Sequence, residues 1–290
     1  MDVARLVEQL TVEAVADDHF TGYSPADRDR QVYGGQFLGQ ALMAASATVD
    51  GDRVPHSLHA YFVRSGAAHL PIEYRVERIR DGRTASHRSV VATQDGREMF
   101  RQLMSFQVPR PGLSYPGPVA IRPGLDPSTF PSYRHWVAEL SDNRDHAWFA
   151  EDLPLDIRFE NAPPPRPRAP MTNVLRIWMR LVGPVASDDP CLHASLVAWM
   201  SDKTISDVTL YPHGRSWTDT GSDILSLDHA MWFHQPVRAD EWLLLTHEAA
   251  ATRRGRGLAR GDLVTLAGEV VGAVAQEALI VLPDAAVDEG

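Results

Sequence analysis

The sequence predicts an α+β fold built from two copies of one unit, each a long helix wrapped by an antiparallel β-sheet. Three observations carry that expectation. The tract Leu225-Ser226-Leu227-Asp228-His229-Ala230-Met231-Trp232-Phe233-His234 alternates roughly between apolar and polar residues before Pro236 ends it, as a half-buried strand does. The earlier tract Ser57-Leu58-His59-Ala60-Tyr61-Phe62 repeats its order of Ser-Leu, a His-Ala step and a bulky aromatic pair, the mark of an internal duplication. Between the two, 13 of the 21 prolines crowd into Pro109 to Pro170, a stretch in which lost backbone donors and fixed φ favour connection over regular core.

The elements follow in order. Gly34 to Ala45 reads as a small-residue-rich helix, apolar around most of its circumference, which must be surrounded by protein. Strands are expected at His56 to Val63, Ile72 to Ile79, Ala85 to Thr93 and Met99 to Val108, with Asp81-Gly82 and Asp95-Gly96 as turns that reach positive φ at little cost. A short strand at Leu153 to Phe159 interrupts the proline-rich stretch. The second half repeats the plan, with a strand at Val174 to Leu181, a helix near His193 to Lys203, and strands at Ile224 to Phe233, Trp242 to Ala251, Gly257 to Thr265 and Val270 to Leu282. Turn signals lie at Arg254-Gly255 and Ala267-Gly268. The expected division is a first repeat over residues 1–112, a linker over 113–150 and a second repeat over 151–290.

Composition bounds the function. A chain of 290 residues, 44% hydrophobic, can bury a sizeable core, and a net charge of −10 disfavours a general nucleic-acid binder, which needs a basic face. Cys191 is the single cysteine, so no intramolecular disulfide or cysteine cage for a metal forms, and its simplest role is a small buried thiol. The start, Met1 to Arg5, lacks a basic segment followed by an apolar run, and no stretch approaches the roughly 20 apolar residues that span a bilayer. Asp288-Glu289-Gly290 is not a peroxisomal address, which leaves cytoplasmic residence as the expectation.

Four blocks, Val32-Tyr33-Gly34-Gly35-Gln36-Phe37-Leu38-Gly39-Gln40-Ala41-Leu42, His56-Ser57-Leu58-His59-Ala60-Tyr61-Phe62, Leu227 to His234 and Val274-Ala275-Gln276-Glu277, resemble the acyl-CoA thioesterase II family, the double-hotdog hydrolases of fatty acyl-CoA. The resemblance implies acyl-CoA as substrate, no cofactor, a homodimer or larger homo-oligomer, and an active site of an Asp, a Thr or Ser, and a Gln that together hold a water. Residue by residue, these fall on Asp202, Ser226 and Gln276. Serine at 226 departs from the commoner threonine, keeping the donor and acceptor but losing the methyl that fixes the rotamer.

The residues support the chemistry independently. Asp202 follows the apolar run Leu196-Val197-Ala198-Trp199-Met200, where a carboxylate is costly to bury unless hydrogen bonds meet it. It can serve as general base on water that Ser226 and Gln276 orient, while a backbone N–H near a helix end stabilises the oxyanion. Gly34, Gly35, Phe37, Tyr61, Phe62, Met231 and Trp232 are expected to border the acyl chain, although the same types also make ordinary core. Arg253, Arg254, Arg256 and Arg260 crowd one hairpin and offer a landing place for the phosphates of coenzyme A, against the alternative of a solvated turn. Asp228 and His229 are adjacent on a strand and face opposite sides, so no simple metal site is expected; with His234 they fit a polar network instead.

Rival activities have weaker support. An α/β serine hydrolase needs Gly-x-Ser-x-Gly, and Gly112-Leu113-Ser114-Tyr115-Pro116-Gly117 has the wrong spacing. A hotdog enoyl-CoA hydratase lacks its Gly-Asp-x-Asn-Pro signature. A non-catalytic acyl-CoA-binding module needs none of Asp202, Ser226 and Gln276.

Overall fold

The computed structural model describes residues 2–25, 31–115, 117, 119–138, 153–161, 169–216, 219 and 223–282. Among the described residues, four helices, α1 (Val3–Leu10), α2 (Gly34–Ser46), α3 (Tyr133–Ala138) and α4 (Pro190–Ser201), accompany thirteen strands in one sheet. The first half contributes β1 (Glu13–Ala16), β2 (His19–Gly22), β3 (Val54–Phe62), β4 (Ile72–Asp81), β5 (Ala85–Gln94) and β6 (Arg97–Gln107). The second contributes β7 (Leu155–Phe159), β8 (Val174–Leu181), β9 (Asp223–Ser226), β10 (Asp228–Phe233), β11 (Leu243–Arg253), β12 (Arg256–Thr265) and β13 (Val270–Val281).

The sheet runs β1-β2-β4-β5-β6-β3-β10-β13-β12-β11-β8-β7, with β9 attached to β13. Read from either side towards the middle, β2-β4-β5-β6-β3 and β8-β11-β12-β13-β10 are the same order. The duplication is therefore real in three dimensions, and the architecture is a double hotdog. The two repeated tracts form its seam, where β3 and β10 pair antiparallel from Ser57↔Trp232 to Tyr61↔Asp228.

At the seam His59 pairs with Ala230 and Ala60 with His229, so His229 points inward and is fully buried whereas His59 is exposed. The two histidines of the repeated His-Ala step therefore lie on opposite faces of the sheet. The expected single strand from Ile224 to Phe233 is likewise two. At Leu227 the N–H donates to Glu277 O at 2.9 Å and the carbonyl accepts from Phe62 N at 3.0 Å, and the register on β13 shifts by one residue between Ser226↔Ala278 and Ala230↔Ala275, so the chain breaks after Ser226. The N-terminal elements α1, β1 and β2 were not anticipated, and residues 139–152 and 162–168 of the proline-rich stretch lie outside the described residues.

Both long helices are buried on nearly every face, as their lack of charge requires. They pack against one another antiparallel. A Cβ on Gly35 would lie 2.5 Å from Trp199 O, and one on Gly39 would lie 3.2 Å from Ser195 O, so the glycines set how closely α2 approaches α4. The polar residues of α2 are spent on the fold. Gln36 Nε2 donates to Tyr23 O at 3.0 Å, Gln40 Nε2 to Gln9 O at 2.7 Å, and Tyr74 Oη to Gln40 Oε1 at 2.7 Å, which ties α1 and the segment after β2 to the helix.

Gly35→Ala should lower thermal stability by about 1–3 kcal/mol, because the added carbon meets Trp199 O, a backbone atom that cannot swing aside, as well as the Tyr33 ring. Gly51→Ala, with nothing within 4 Å of the added carbon, should be close to neutral. Thermal unfolding of the two variants measures the difference.

Candidate active site

Asp202 is the C-cap of α4, with φ −76° and ψ −8°, placed where the C-terminal end of α4 meets the N-terminal end of α2. A Cβ on Gly34 would lie 2.6 Å from Asp202 Oδ2 and 3.0 Å from the Phe62 ring, so only glycine fits between the carboxylate and that ring. Asp202 Oδ1 is buried and has no hydrogen-bond partner among the described residues. Burial pushes the Asp202 carboxyl up to about 7, offset in part by the Gln276 amide, the Gly35 N–H, the Lys203 ammonium and the Ser226 hydroxyl. Such a group changes charge near neutral pH, the property a general base requires.

Gln276 enters from the inward face of β13 and is almost wholly buried. Its Nε2 donates to Ser226 Oγ and to Ser206 Oγ, both at 2.8 Å, and its Oε1 contacts His229 Nδ1. The directions follow from charge. An ionised Asp202 only accepts, so the amide nitrogen faces it and the serines, leaving the amide oxygen to His229. His229 therefore carries its proton on Nδ1 and presents a bare Nε2 to Ser201 Oγ, 3.1 Å away. Burial lowers the imidazole to about 4, so it stays neutral at physiological pH.

The structure thus gathers Asp202, Ser226 and Gln276, adds His229 to them, and brings in Ser206, which the sequence reading had not singled out. Ser206 belongs to a 3-10 turn, Ser206–Thr209, directly after α4. Asp228 faces the other side of β10, where its Oδ1 accepts from Glu277 N at 2.8 Å. Lys203, also not anticipated, is buried beside Asp202, with Nζ 5.9 Å from the centre of the Tyr33 ring.

The expected acyl-chain border needs correction. Gly34, Gly35, Phe37, Phe62 and Met231 lie on the inner side, where Phe100 stands 5.3 Å from both the Phe37 and Phe62 rings. Tyr61 and Trp232 lie on the outer face instead, Tyr61 with 67% of its surface exposed and Trp232 edge-on to His59 at 5.3 Å. Neighbouring residues of a strand cannot face one cavity, and that argument separates Tyr61 from Phe62 and Trp232 from Met231 as it separates Asp228 from His229. A cavity of about 310 Å³ opens between α3 and β7, bordered by Leu153, Leu155, Ile157 and Val182 and reaching Lys203.

The arginines occupy the end and outer face of the β11–β12 hairpin. Arg256 pairs with Glu277 at 3.0 Å and Arg260 with Glu248 at 3.2 Å, both on the face opposite Gln276. Arg253 and Arg254 are exposed at the turn, where Arg254 has φ 53°.

Because burial raises its carboxyl, Asp202 costs stability once ionised. Its penalty is absent below about 3.8, the usual value, grows as pH rises towards about 7, and is constant above that. Asp202→Asn should accordingly melt several degrees higher than wild type at pH 8, with the difference shrinking as pH falls from 7 towards 4. Melting curves across that range test the sign.

Comparison with known proteins covers both halves of the chain. The family model for the acyl-CoA thioesterase N-terminal domain matches residues 24–107, and that for the acyl-CoA thioesterase C-terminal domain matches residues 127–280. Acyl-coenzyme A thioesterase 8 of Homo sapiens is 35% identical over 282 residues, covering 93% of this chain and 87% of the relative. Acyl-CoA thioesterase 2 of Haemophilus influenzae is 31% identical over 279 residues, with 95% and 96% covered. Among solved structures, an acyl-CoA thioesterase II from Mycobacterium marinum aligns with a TM-score of 0.77 at 31% identity, over 98% of this chain and 100% of that one. A protein with a hot dog fold from Alicyclobacillus acidocaldarius aligns with a TM-score of 0.75 at 16% identity over 96% and 98% of the two chains, a likeness of fold alone. With matches to both domains and a relative at 35% identity over nearly its whole length, the chain belongs to the acyl-CoA thioesterase II family and is a thioester hydrolase.

Proposed function

We propose that the protein hydrolyses the thioester of fatty acyl-CoA to free fatty acid and coenzyme A by direct attack of a water held by Asp202, Ser226 and Gln276. The observation that carries this reading is the buried Asp202 carboxylate, with one unpartnered oxygen, set beside a fixed carboxamide and a hydroxyl. Asp202 takes a proton as the water oxygen bonds to the thioester carbon. The carbonyl electrons move to its oxygen, and their return expels the coenzyme A sulfur, which leaves with the proton from Asp202. No acyl-enzyme forms.

Several features support the steps. The first turn of α2 offers the positive end of the helix, with the Gly34 N–H, to the oxyanion, while the Gly35 N–H faces the Asp202 carboxylate. Phe37, Phe62 and Met231 form apolar surface beside the carboxylate, while the cavity reaching Lys203 gives room for the acyl chain or the pantetheine arm. Arg253 and Arg254 have the charge to meet the phosphates; Arg256 and Arg260 would first have to leave their glutamates. The first repeat over 1–112, the linker over 113–150 and the second repeat over 151–290 remain the division on which this reading is built. A second copy of the chain, in a homodimer or larger assembly, suits the exposed Tyr61 and Leu103 on the outer face of the sheet.

Thiol release from acyl-CoA is the direct assay. Asp202→Asn should lower kcat by roughly 10²-fold or more, and Ser226→Ala by roughly 10-fold, with Ser226→Thr retaining activity. In wild type, kcat/KM should fall as pH drops below about 7, following the carboxyl of Asp202. Lys203→Met should move that fall to higher pH, because the ammonium favours the carboxylate form. Full turnover by well-folded Asp202→Asn would sink the reading and move the general base away from Asp202.

Replacing Arg253 and Arg254 with alanine should raise KM several-fold for acyl-CoA and leave it unchanged for a truncated thioester lacking the nucleotide. Equal effects on both substrates would make the pair a solvated turn.

A further inference from the structure

Gln276 hydrogen-bonds two hydroxyls, and the proposed water-holding trio uses only one of them. Its Nε2 is 2.8 Å from Ser206 Oγ and 2.8 Å from Ser226 Oγ. A primary carboxamide has two N–H groups fixed about 120° apart in one plane, so two hydroxyls receiving them on one side define that plane. The terminal torsion of glutamine is otherwise broad and soft. The contact between Gln276 Oε1 and His229 Nδ1 restrains the oxygen end. Imidazole on one side and a single serine on the other would still leave the amide free to turn about the line joining them.

The backbone that carries Ser206 is clamped for this task. Ser206 O accepts from Thr209 Oγ1 at 2.7 Å, closing the 3-10 turn on itself. Thr209 O accepts from Thr252 Oγ1 on β11 at 3.1 Å. On β12, Gly257 has its Cα against the Thr209 side chain, where an added Cβ would lie 2.6 Å from Thr209 Cβ. Ser206 is thereby referenced to β11 and β12, and Ser226 to β13 through the Ser226↔Ala278 pairing, so the two hydroxyls meet the amide from independently anchored directions.

We infer that Ser206 is a positioning residue of the hydrolytic site: it takes one amide proton of Gln276 and so aims the other at Ser226, whose hydroxyl meets the attacking water. This rests on the proposed role of Gln276 in holding that water. It assigns Ser206 no contact with substrate. Its effect on the reaction is exerted through the orientation of the Gln276 amide, and it belongs to kcat more than to KM.

Four variants test the assignment by thiol release from acyl-CoA. Ser206→Thr keeps a hydroxyl, and Ser206→Val has the same shape without it. Ser206→Thr should retain kcat within about twofold, whereas Ser206→Val and Ser206→Ala should lose roughly 10-fold in kcat with KM within about twofold. In a Gln276→Ala background, adding Ser206→Ala should cost nothing further, because the amide it orients is gone. Ser206→Ala only removes an atom, so the comparison holds even if the β-branched variants pack poorly. Wild-type kcat in Ser206→Ala, equal kcat in the threonine and valine variants, or a full additional loss in the Gln276→Ala background would each overturn the inference. The underlying reading fails separately, by wild-type turnover in Asp202→Asn; an inactive Asp202→Asn beside an indifferent Ser206→Ala would reject Ser206 alone.

Discussion

The structure depends on the close antiparallel contact between α2 and α4. Two helices apolar on nearly every face are stable only when surrounded, and glycine at positions 35 and 39 lets their backbones come near enough to exclude water. At one end of that contact, the end of one helix stands beside the start of the other. Asp202 is placed there by α4 and meets the N–H end of α2, contributed by the other repeat. A carboxylate in this place has lost most of its water and recovered only part of it as hydrogen bonds, and its preference for the neutral form follows directly. Packing and charge thus share one cause: the contact that buries the core also raises the Asp202 carboxyl towards neutral pH.

That coupling explains why the site is assembled from both halves although its side chains come from the second. The seam β3–β10 joins the sheets, and the bond from Phe62 N to Leu227 O ties the first repeat to the residue between Ser226 and Asp228. The break at Leu227 shifts the register on β13 by one residue, so Ser226 and His229 both face Gln276. A continuous strand through this point would have put Ser226, three residues from His229, on the opposite face.

Much of this was legible in the sequence, for identifiable reasons. Long helices without charge and strands ended by Asp-Gly or Arg-Gly turns are local signals, and the duplicated Ser-Leu and His-Ala pattern exposed the internal repeat. The trio of Asp202, Ser226 and Gln276 was reached through resemblance, aided by the cost of a carboxylate after an apolar run. What stayed hidden depends on register and on distance along the chain. Nothing local shows that His59 faces outward while His229 faces inward, or that Tyr61 and Trp232 belong to the outer face, because a slip of one residue exchanges the faces. Ser206 was invisible for another reason: it is 70 residues from Gln276, and serine after a helix reads as ordinary turn. The β1–β2 pair was missed because its strands are four residues each, too short for an alternation to emerge.

The two halves contain a comparison that isolates what the polar partners of Gln276 contribute. Across from β3, β6 carries Gln102 opposite Ala60, just as β13 carries Gln276 opposite His229 on β10. Both glutamines are buried beside the seam. Gln102 meets a methyl where Gln276 meets an imidazole; its Nε2 reaches only Met104 Sδ at 3.0 Å, and its Oε1 has no partner among the described residues. A carboxamide held only by a thioether has no fixed direction in which to present a donor. Gln276 is gripped at its oxygen by His229 and at its nitrogen by two serines, with a carboxylate in front of it. The fold therefore supplies a buried amide twice, and the residues around it, rather than the fold or the glutamine itself, decide which of the two is held in one orientation.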